Sequence, residues 1–249
     1  MPFPARTLIR TMAFVAGTLA LSASHAADPM PDAEFNGKEF YGSIYLDDKI
    51  KADALIAADC LAEGEKWVNA RAKASLKQHP DLYPHFVRHY AVRSVVDDRY
   101  VSIVRSDVVS TYSAHPNRTV DTILWDEAIN KRISIRPFFT ETTDGGPTLK
   151  AIQEAIIASL KVEKNKRGFG AEFDPIKGWI EYIEPSLLNI GPLLAIAPST
   201  ETGKSSGLTF YYGVINTFVP WKTLQPFLSP EGIRIFGGDR PKSDEDDEQ

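Results

Sequence analysis

Apolar positions along the chain repeat with two periods, and the switches between them mark the elements. From Phe40 to Leu46, the residues Phe40, Gly42, Ile44 and Leu46 alternate with Tyr41, Ser43 and Tyr45, which predicts a short strand. Asp47 and Asp48 then offer N-cap oxygens. The period lengthens next: Ala54, Ala58, Leu61, Val68, Ala72 and Leu76 fall at steps of three, four and seven, one stripe of a helix running to about Lys77 and stopped by Pro80. Gly64 is a weak point in that helix, costing about 1 kcal/mol relative to alanine.

Two-residue alternation returns from Phe86 to Thr111 and predicts an antiparallel hairpin joined at Asp97, Asp98 and Arg99. Strands at Val120 to Trp125 and Ile133 to Ile135 extend it into a four-strand meander. Gly145, Gly146 and Pro147 open a second helix, with Leu149, Ile152, Ile156 and Leu160 on one face and Gly168 as a left-handed cap. The Pro- and Gly-rich remainder predicts a strand pair near Gly191 to Ala197 and Leu208 to Tyr212, then a final strand at Thr217 to Val219. Helices and antiparallel strands come in blocks, so the fold class is α+β: an antiparallel meander packed against two main helices.

The first residues follow a different logic. Arg6 and Arg10 precede an apolar run from Met12 to Ala23, and Ser24, His25 and Ala26 supply a small-x-small cleavage pattern. A dozen apolar residues span about 18 Å as a helix, short of a bilayer core of about 30 Å, so a cleaved signal peptide is expected and a membrane anchor is not. The expected division is residues 1–26 as signal peptide, 27–95 as a strand-helix-strand module, 96–237 as a C-terminal α+β domain and 238–249 as a disordered acidic tail. The chain is then periplasmic or secreted, with no membrane span after cleavage.

Composition narrows this further. The 249 residues are 43% hydrophobic and 24% charged, within the range of ordinary globular proteins. The single cysteine, Cys60, excludes an intramolecular disulfide and the cysteine-based structural zinc sites, and its place among helical alanines predicts a small buried side chain. The formal charge is −5, and loss of Arg6 and Arg10 makes the remainder more acidic. Six acids, Asp239, Asp244, Glu245, Asp246, Asp247 and Glu248, stand against Arg240 and Lys242 after Gly238, a pattern expected to be solvated and disordered. No basic stripe points to nucleic acid.

Candidate chemistry is sparse. His79, His85 and His89 cluster with Asp81 around Pro80 and Pro84; a three-histidine metal site and a set of structural or surface histidines are the two readings, and the second is preferred. His115 lies in the loop Tyr112, Ser113, Ala114, His115, Pro116, Asn117, where an imidazole suits a general base, a ligand contact or a loop tie. There is no G-x-S-x-G elbow, no H-E-x-x-H pair and no Walker loop, and Gly168, Phe169, Gly170 is too short for a dinucleotide fingerprint. No cofactor and no metal is expected.

Several short motifs resemble one family in their order and spacing. They are the Ala114, His115, Pro116, Asn117 loop, the strand from Thr122 to Asp126, the Ile133 to Phe139 segment leading into a helix, and Gly207, Leu208, Thr209, Phe210 followed by Val219, Pro220, Trp221 and Leu224. Together they make residues 86 to 230 resemble the extracytoplasmic domain of unknown function found in the lysozyme-sensing anti-sigma factor of the RsiV type and beside the catalytic domain of a peptidoglycan deacetylase. Two features depart from it: Tyr112 and Ser113 replace a glycine pair, and only Gly213 to Asn216 bridges the last two strands. The resemblance implies a non-catalytic envelope domain that binds cell-wall glycan or a wall-cleaving enzyme such as lysozyme. Tyr112, His115, Asn117, Tyr212 and Trp221 are the expected binding residues, with Tyr211 beside them. The alternative is a peptidoglycan hydrolase or deacetylase using His115 with an acid such as Asp121, and a loop that only stabilises the sheet is the third reading.

Overall fold

The computed structural model describes residues 30–78, 81–111, 116–167, 180–213 and 215–246. The leader at 1–26, the capping Gly168, His79 and Pro80 therefore lie outside the described residues. Among the described residues, nine strands form two sheets. The first has six strands in sequential order: β1 (Ala33–Asn36), β2 (Tyr41–Leu46), β3 (His85–Val96), β4 (Tyr100–Ser110), β5 (Asn117–Asp126) and β6 (Lys131–Ile133). The second is β7 (Leu194–Ile196), β8 (Gly207–Tyr212) and β9 (Ile215–Pro220), again in order. The α+β class and the meander from β3 to β6 are as expected, and β1, which the Pro-containing leader concealed, is an addition.

One pairing breaks the meander. β2 and β3 run parallel, Tyr41 beside His85 through Leu46 beside Tyr90. Parallel neighbours need a long crossover; here it is α1 (Asp48–Ala52) and α2 (Ala54–Gln78). Asp47 starts it with both oxygens: Oδ1 accepts from Ile50 N at 2.8 Å as the N-cap, and Oδ2 accepts from Val92 N at 2.6 Å, tying the helix start to β3. Asp53 caps α2 by accepting from Leu55 N and Ile56 N.

The buried stripe of α2 is Ile56, Cys60, Gly64, Val68 and Ala72. This corrects the predicted stripe, since Ala54 and Ala58 are exposed and Leu61 and Leu76 only half-buried. Small residues sit at the centre because the helix lies close on the sheet. A Cβ at Gly64 would stand 2.5 Å from Ile44 Cδ1 and 3.3 Å from the Tyr90 hydroxyl, so the glycine that weakens the helix is what lets it dock.

The six-stranded sheet runs unbroken across residues 95 and 96, because β3 and β4 pair from His85 with Ser110 to Val96 with Tyr100. Asp97 and Asp98, with φ of 57° and 47°, make the connection, consistent with a type I′ hairpin turn. The described residues from Pro31 onward form one compact unit. α2 covers one face of the sheet over Ile44, Tyr90, Ile103, Ile123 and Trp125. The second sheet covers part of the other face and is held there by side chain to backbone bonds: Ser94 Oγ donates to Ile196 O at 2.6 Å, Ile196 N donates to Ser102 Oγ at 3.0 Å, and Thr122 Oγ1 donates to Leu194 O at 2.7 Å. Helix α3 (Pro147–Lys166) packs Leu149, Ile152, Ile156 and Leu160, all fully buried as predicted, into one core with Leu208, Phe210 and Val219 of the second sheet.

The acidic C-terminal segment corrects the expectation of a disordered tail up to Asp246. Lys242–Asp246 is helical and Asp244 is 3% exposed. Its Oδ1 pairs with Arg93, and its Oδ2 and backbone carbonyl accept from Arg240 Nε at 3.1 Å and Nη2 at 2.9 Å. Two arginines offset one buried acid, which is why this stretch of a like-charged segment folds down.

Candidate functional site

Where the two sheets stop covering each other, a cleft opens. β7 has three residues, too few to cover β4 and β5 along their length. Alternation along β4 turns Arg105 and Asp107 toward α2 and Val104, Ser106 and Val108 toward the second sheet. Cross-strand register then lays out rows on that second face. Tyr45, His89, Ser106 and Val120 form one row across β2, β3, β4 and β5, and Val87, Val108 and Arg118 form the next. The β8–β9 end, with Tyr211, Gly213, Ile215 and Asn216, stands opposite and completes a cleft of about 460 Å³.

The row is partly preassembled. The Tyr45 and His89 rings stack with centroids 4.6 Å apart and planes 12° apart. Burial pushes the His89 pKa down, which keeps its imidazole neutral at neutral pH. His85, four residues before on the same face, lies 5.5 Å from the Tyr41 ring and 5.6 Å from that of Tyr83. Both histidines therefore belong to an aromatic strip along β2 and β3. Among the described residues, no three His, Cys, Asp or Glu side chains are placed to hold a metal ion.

The opposite face of the same strands carries a closed charge network. Arg88, 1% exposed, gives Nε and Nη2 to the two oxygens of Asp107, each at 2.6 Å, and Nη1 to Glu63 Oε1 at 2.6 Å. Arg105 Nη1 reaches the same Glu63 oxygen at 2.8 Å, its Nη2 pairs with Asp121, and the Tyr90 hydroxyl donates to Glu63 Oε2. Burial pushes the Glu63 carboxyl up, but the Tyr90 hydrogen bond and the two guanidinium charges outweigh it and hold it below its ordinary value. Asp107 thus lines the cleft with its charge already taken on the far side.

The expected binding residues are only partly brought together. Asn117 begins β5, exposed and next to Arg118 of the cleft. Tyr211 lines the cleft. Tyr212 points to the other side of β8, its ring 6.1 Å from Phe210 and packed on the core, and Trp221 packs on that same core at the end of β9. Neither shares the cleft. Tyr112 and His115 lie outside the described residues. Asp121, the acid offered to His115, is engaged by Arg105 on the α2 side. Sequence reasoning passed over Tyr45, Ser106, Arg118 and Asn216. The available signal was a polar residue recurring on an otherwise apolar strand face, as in Val104-x-Ser106-x-Val108 and Arg118-x-Val120.

Chemically, this arrangement offers a ring stack, a hydroxyl, an amide and one guanidinium to a ligand. Among its described residues no acid and base face each other. The chain is an α+β protein of two stacked sheets with an intersheet cleft. No protein-family model matches its sequence, and no curated protein matches it. Among solved structures it is similar to a DUF3298 family protein from Pseudomonas aeruginosa PAO1, with 15% identity, 82% of this chain and 96% of that one covered, and a TM-score of 0.46. It is also similar to a DUF3298 family member from Bacteroides fragilis NCTC 9343, with 11% identity, coverages of 72% and 71%, and a TM-score of 0.42.

Proposed function

We propose that this chain is an exported, non-catalytic module that binds a cell-wall glycan in the cleft between its sheets. The observation that carries the reading is the row His89, Ser106, Val120, with Tyr45 stacked behind His89, opening beneath Tyr211 and Asn216. A sugar has apolar ring faces and hydroxyl edges, and this row pairs stacked rings and a valine with a hydroxyl and an amide. A volume of about 460 Å³ lies within the roughly 300–1,000 Å³ of small-ligand sites. A protein partner such as lysozyme would instead need about 800 Å² of matched surface on each side. Export rests on the Arg6 to Ala26 leader, and an envelope role on the resemblance to the RsiV-type sensor domain. No helix among the described residues is long and apolar enough to cross a membrane.

Titration of the protein with purified muropeptides, followed by backbone NMR shifts, tests the reading. Muropeptides should shift the β4, β5 and β8–β9 resonances around the cleft. Ser106→Tyr, which fills the cleft floor, should weaken binding at least tenfold without lowering the melting temperature. Binding of lysozyme but not muropeptides, with Ser106→Tyr indifferent, would replace the glycan with a protein partner. Hydrolysis or deacetylation of the muropeptides that depends on His115 would replace the module with an enzyme.

A further inference from the structure

We infer that Arg118 makes the intersheet cleft selective for a ligand bearing a single carboxylate, an inference that rests on the glycan-binding reading and names the sugar chemistry it takes. The six-stranded sheet carries Arg88, Arg93, Arg105, Arg118 and Arg132 on its strands. Arg88 meets Asp107 and Glu63, Arg93 meets Asp244, Arg105 meets Glu63 and Asp121, and Arg132 meets Asp59. Arg118 is the exception: among the described residues it meets no carboxylate. It is also the one among these that lines the cleft, in the row next to His89 and Ser106.

The other described groups of the cleft leave that charge uncompensated. The Asp107 carboxylate is turned through the sheet and taken by Arg88 at both oxygens. Ser106 and Asn216 are neutral hydrogen-bonding partners, and Val104, Val108 and Val120 are apolar. One guanidinium beside neutral donors and an apolar floor accepts one carboxylate in its two-pronged geometry and gains nothing from a second. A neutral sugar fills the same space without using Arg118. The matched ligand is therefore a saccharide substituted with a carboxylate, or the carboxylate end of a short peptide, and the sources differ in whether a sugar ring is present.

Three probes separate these cases: N-acetylmuramic acid, N-acetylglucosamine, which lacks its 3-O-lactyl group and with it the carboxylate, and N-acetyl-D-alanine, a carboxylate with no sugar. NMR titration of wild type and Arg118→Gln is the measurement, with thermal melting to show that the exposed substitution leaves the fold intact. N-acetylmuramic acid should bind wild type at least tenfold more tightly than N-acetylglucosamine, and Arg118→Gln should remove that difference while leaving the neutral sugar unchanged. Equal affinity for the two sugars, or a preference that survives in Arg118→Gln, overturns the inference and leaves glycan binding standing. Arg118-dependent binding of N-acetyl-D-alanine with no binding of either sugar supports carboxylate recognition and removes the glycan. Failure of both carboxylates to bind overturns the inference outright.

Discussion

Arg88 and Asp107 face each other across neighbouring strands, two nitrogens against two oxygens at 2.6 Å each, with the guanidinium 4.1 Å over the Trp67 ring. Both are almost fully buried. Desolvating such a pair cancels much of its attraction, but leaving one partner alone strands a buried charge. Asp107→Leu should therefore cost about 3 to 5 kcal/mol in chemical denaturation. The double variant Arg88→Met, Asp107→Leu should recover most of that, because Glu63 keeps Arg105 and Tyr90 as partners. A double variant as unstable as the single one would mean that the pair is a net contributor to stability rather than a register device.

A second set of carboxylates gives the protein an acid limit. Arg234 holds the Glu231 carboxyl down to about 2 against the opposing effect of burial, helped by the Tyr100 hydroxyl and by the charges of Arg234 and Arg99. Arg99 likewise lowers Asp126, and Glu63 is lowered inside its network. Each of these folded values lies below that of the unfolded chain, near 4. Their contribution is complete above the unfolded value and is lost as pH falls toward 2. The carboxylates' share of the unfolding free energy should stay complete down to about pH 5 and then decline, after an earlier loss from buried His89 as pH falls through about 6.5, and Glu231→Gln should flatten the acid decline. An unchanged acid slope in Glu231→Gln would remove Glu231 from the account.

How much of this could be read beforehand depended on how local each cause is. The α3 stripe, the Asp97–Asp98 turn and the β3 to β6 meander follow from nearest-neighbour patterns, and all were legible. The α2 stripe was misread because its buried face is set by close contact with the sheet: Gly64 and Cys60 lie inside while the more hydrophobic Leu55 is exposed. The parallel β2–β3 pairing and the docking of Asp244 on Arg93 join residues about 40 and 150 positions apart, beyond any local pattern. The cleft is a middle case. Tyr211 and the histidines were singled out, but the face on which each would lie depended on register, and that placed Tyr212 on the core side and His89 in the cleft.

Cys60 should be inert in the folded protein. Its side chain is fully buried and burial pushes its thiol up to about 12. At pH 8 the thiolate fraction is then on the order of 10⁻⁴, about a thousandfold below that of a free cysteine. Labelling by a disulfide reagent should require unfolding and should rise with denaturant in step with the loss of structure. Rapid stoichiometric labelling under native conditions would contradict the α2 packing.

Gly207 begins β8 with φ of 152°, and a Cβ there would lie 2.1 Å from Val219 O and 3.0 Å from Trp221 N. Backbone atoms cannot rotate away, so the β8–β9 pairing itself would have to separate. Gly207→Ala should cost about 3 kcal/mol or more, whereas Gly213→Ala, with φ of 61° and nothing within 4 Å, should cost only about 1 to 2 kcal/mol for its left-handed backbone. Equal losses, measured by denaturant titration, would show that the Val219 contact is relieved cheaply.

The C-terminal segment offers the last test, because its order rests on few groups. Asp244 lies between Arg93 and Arg240, and the Arg240 guanidinium rests 4.2 Å over the Phe218 ring, covering the flank of β9. Arg93 pairs with Asp244 through Nη2, while its Nε is buried with no hydrogen-bond partner among the described residues, so the Asp244 pair is what offsets this guanidinium. Removing residues 239–249 takes that acceptor away and uncovers Phe218. A loss of about 1 to 3 kcal/mol follows from stranding a partly buried charged donor, which for a chain of this size lowers the melting temperature by about 2 to 4 °C per kcal/mol. Asp244→Asn keeps the shape and removes the charge, and should give an intermediate loss. Removing only residues 247–249 spares Asp244 and should leave the melting temperature unchanged. If removal of 239–249 also left it unchanged, the segment would be undocked in solution, and the solvated tail expected from its composition would be the better description.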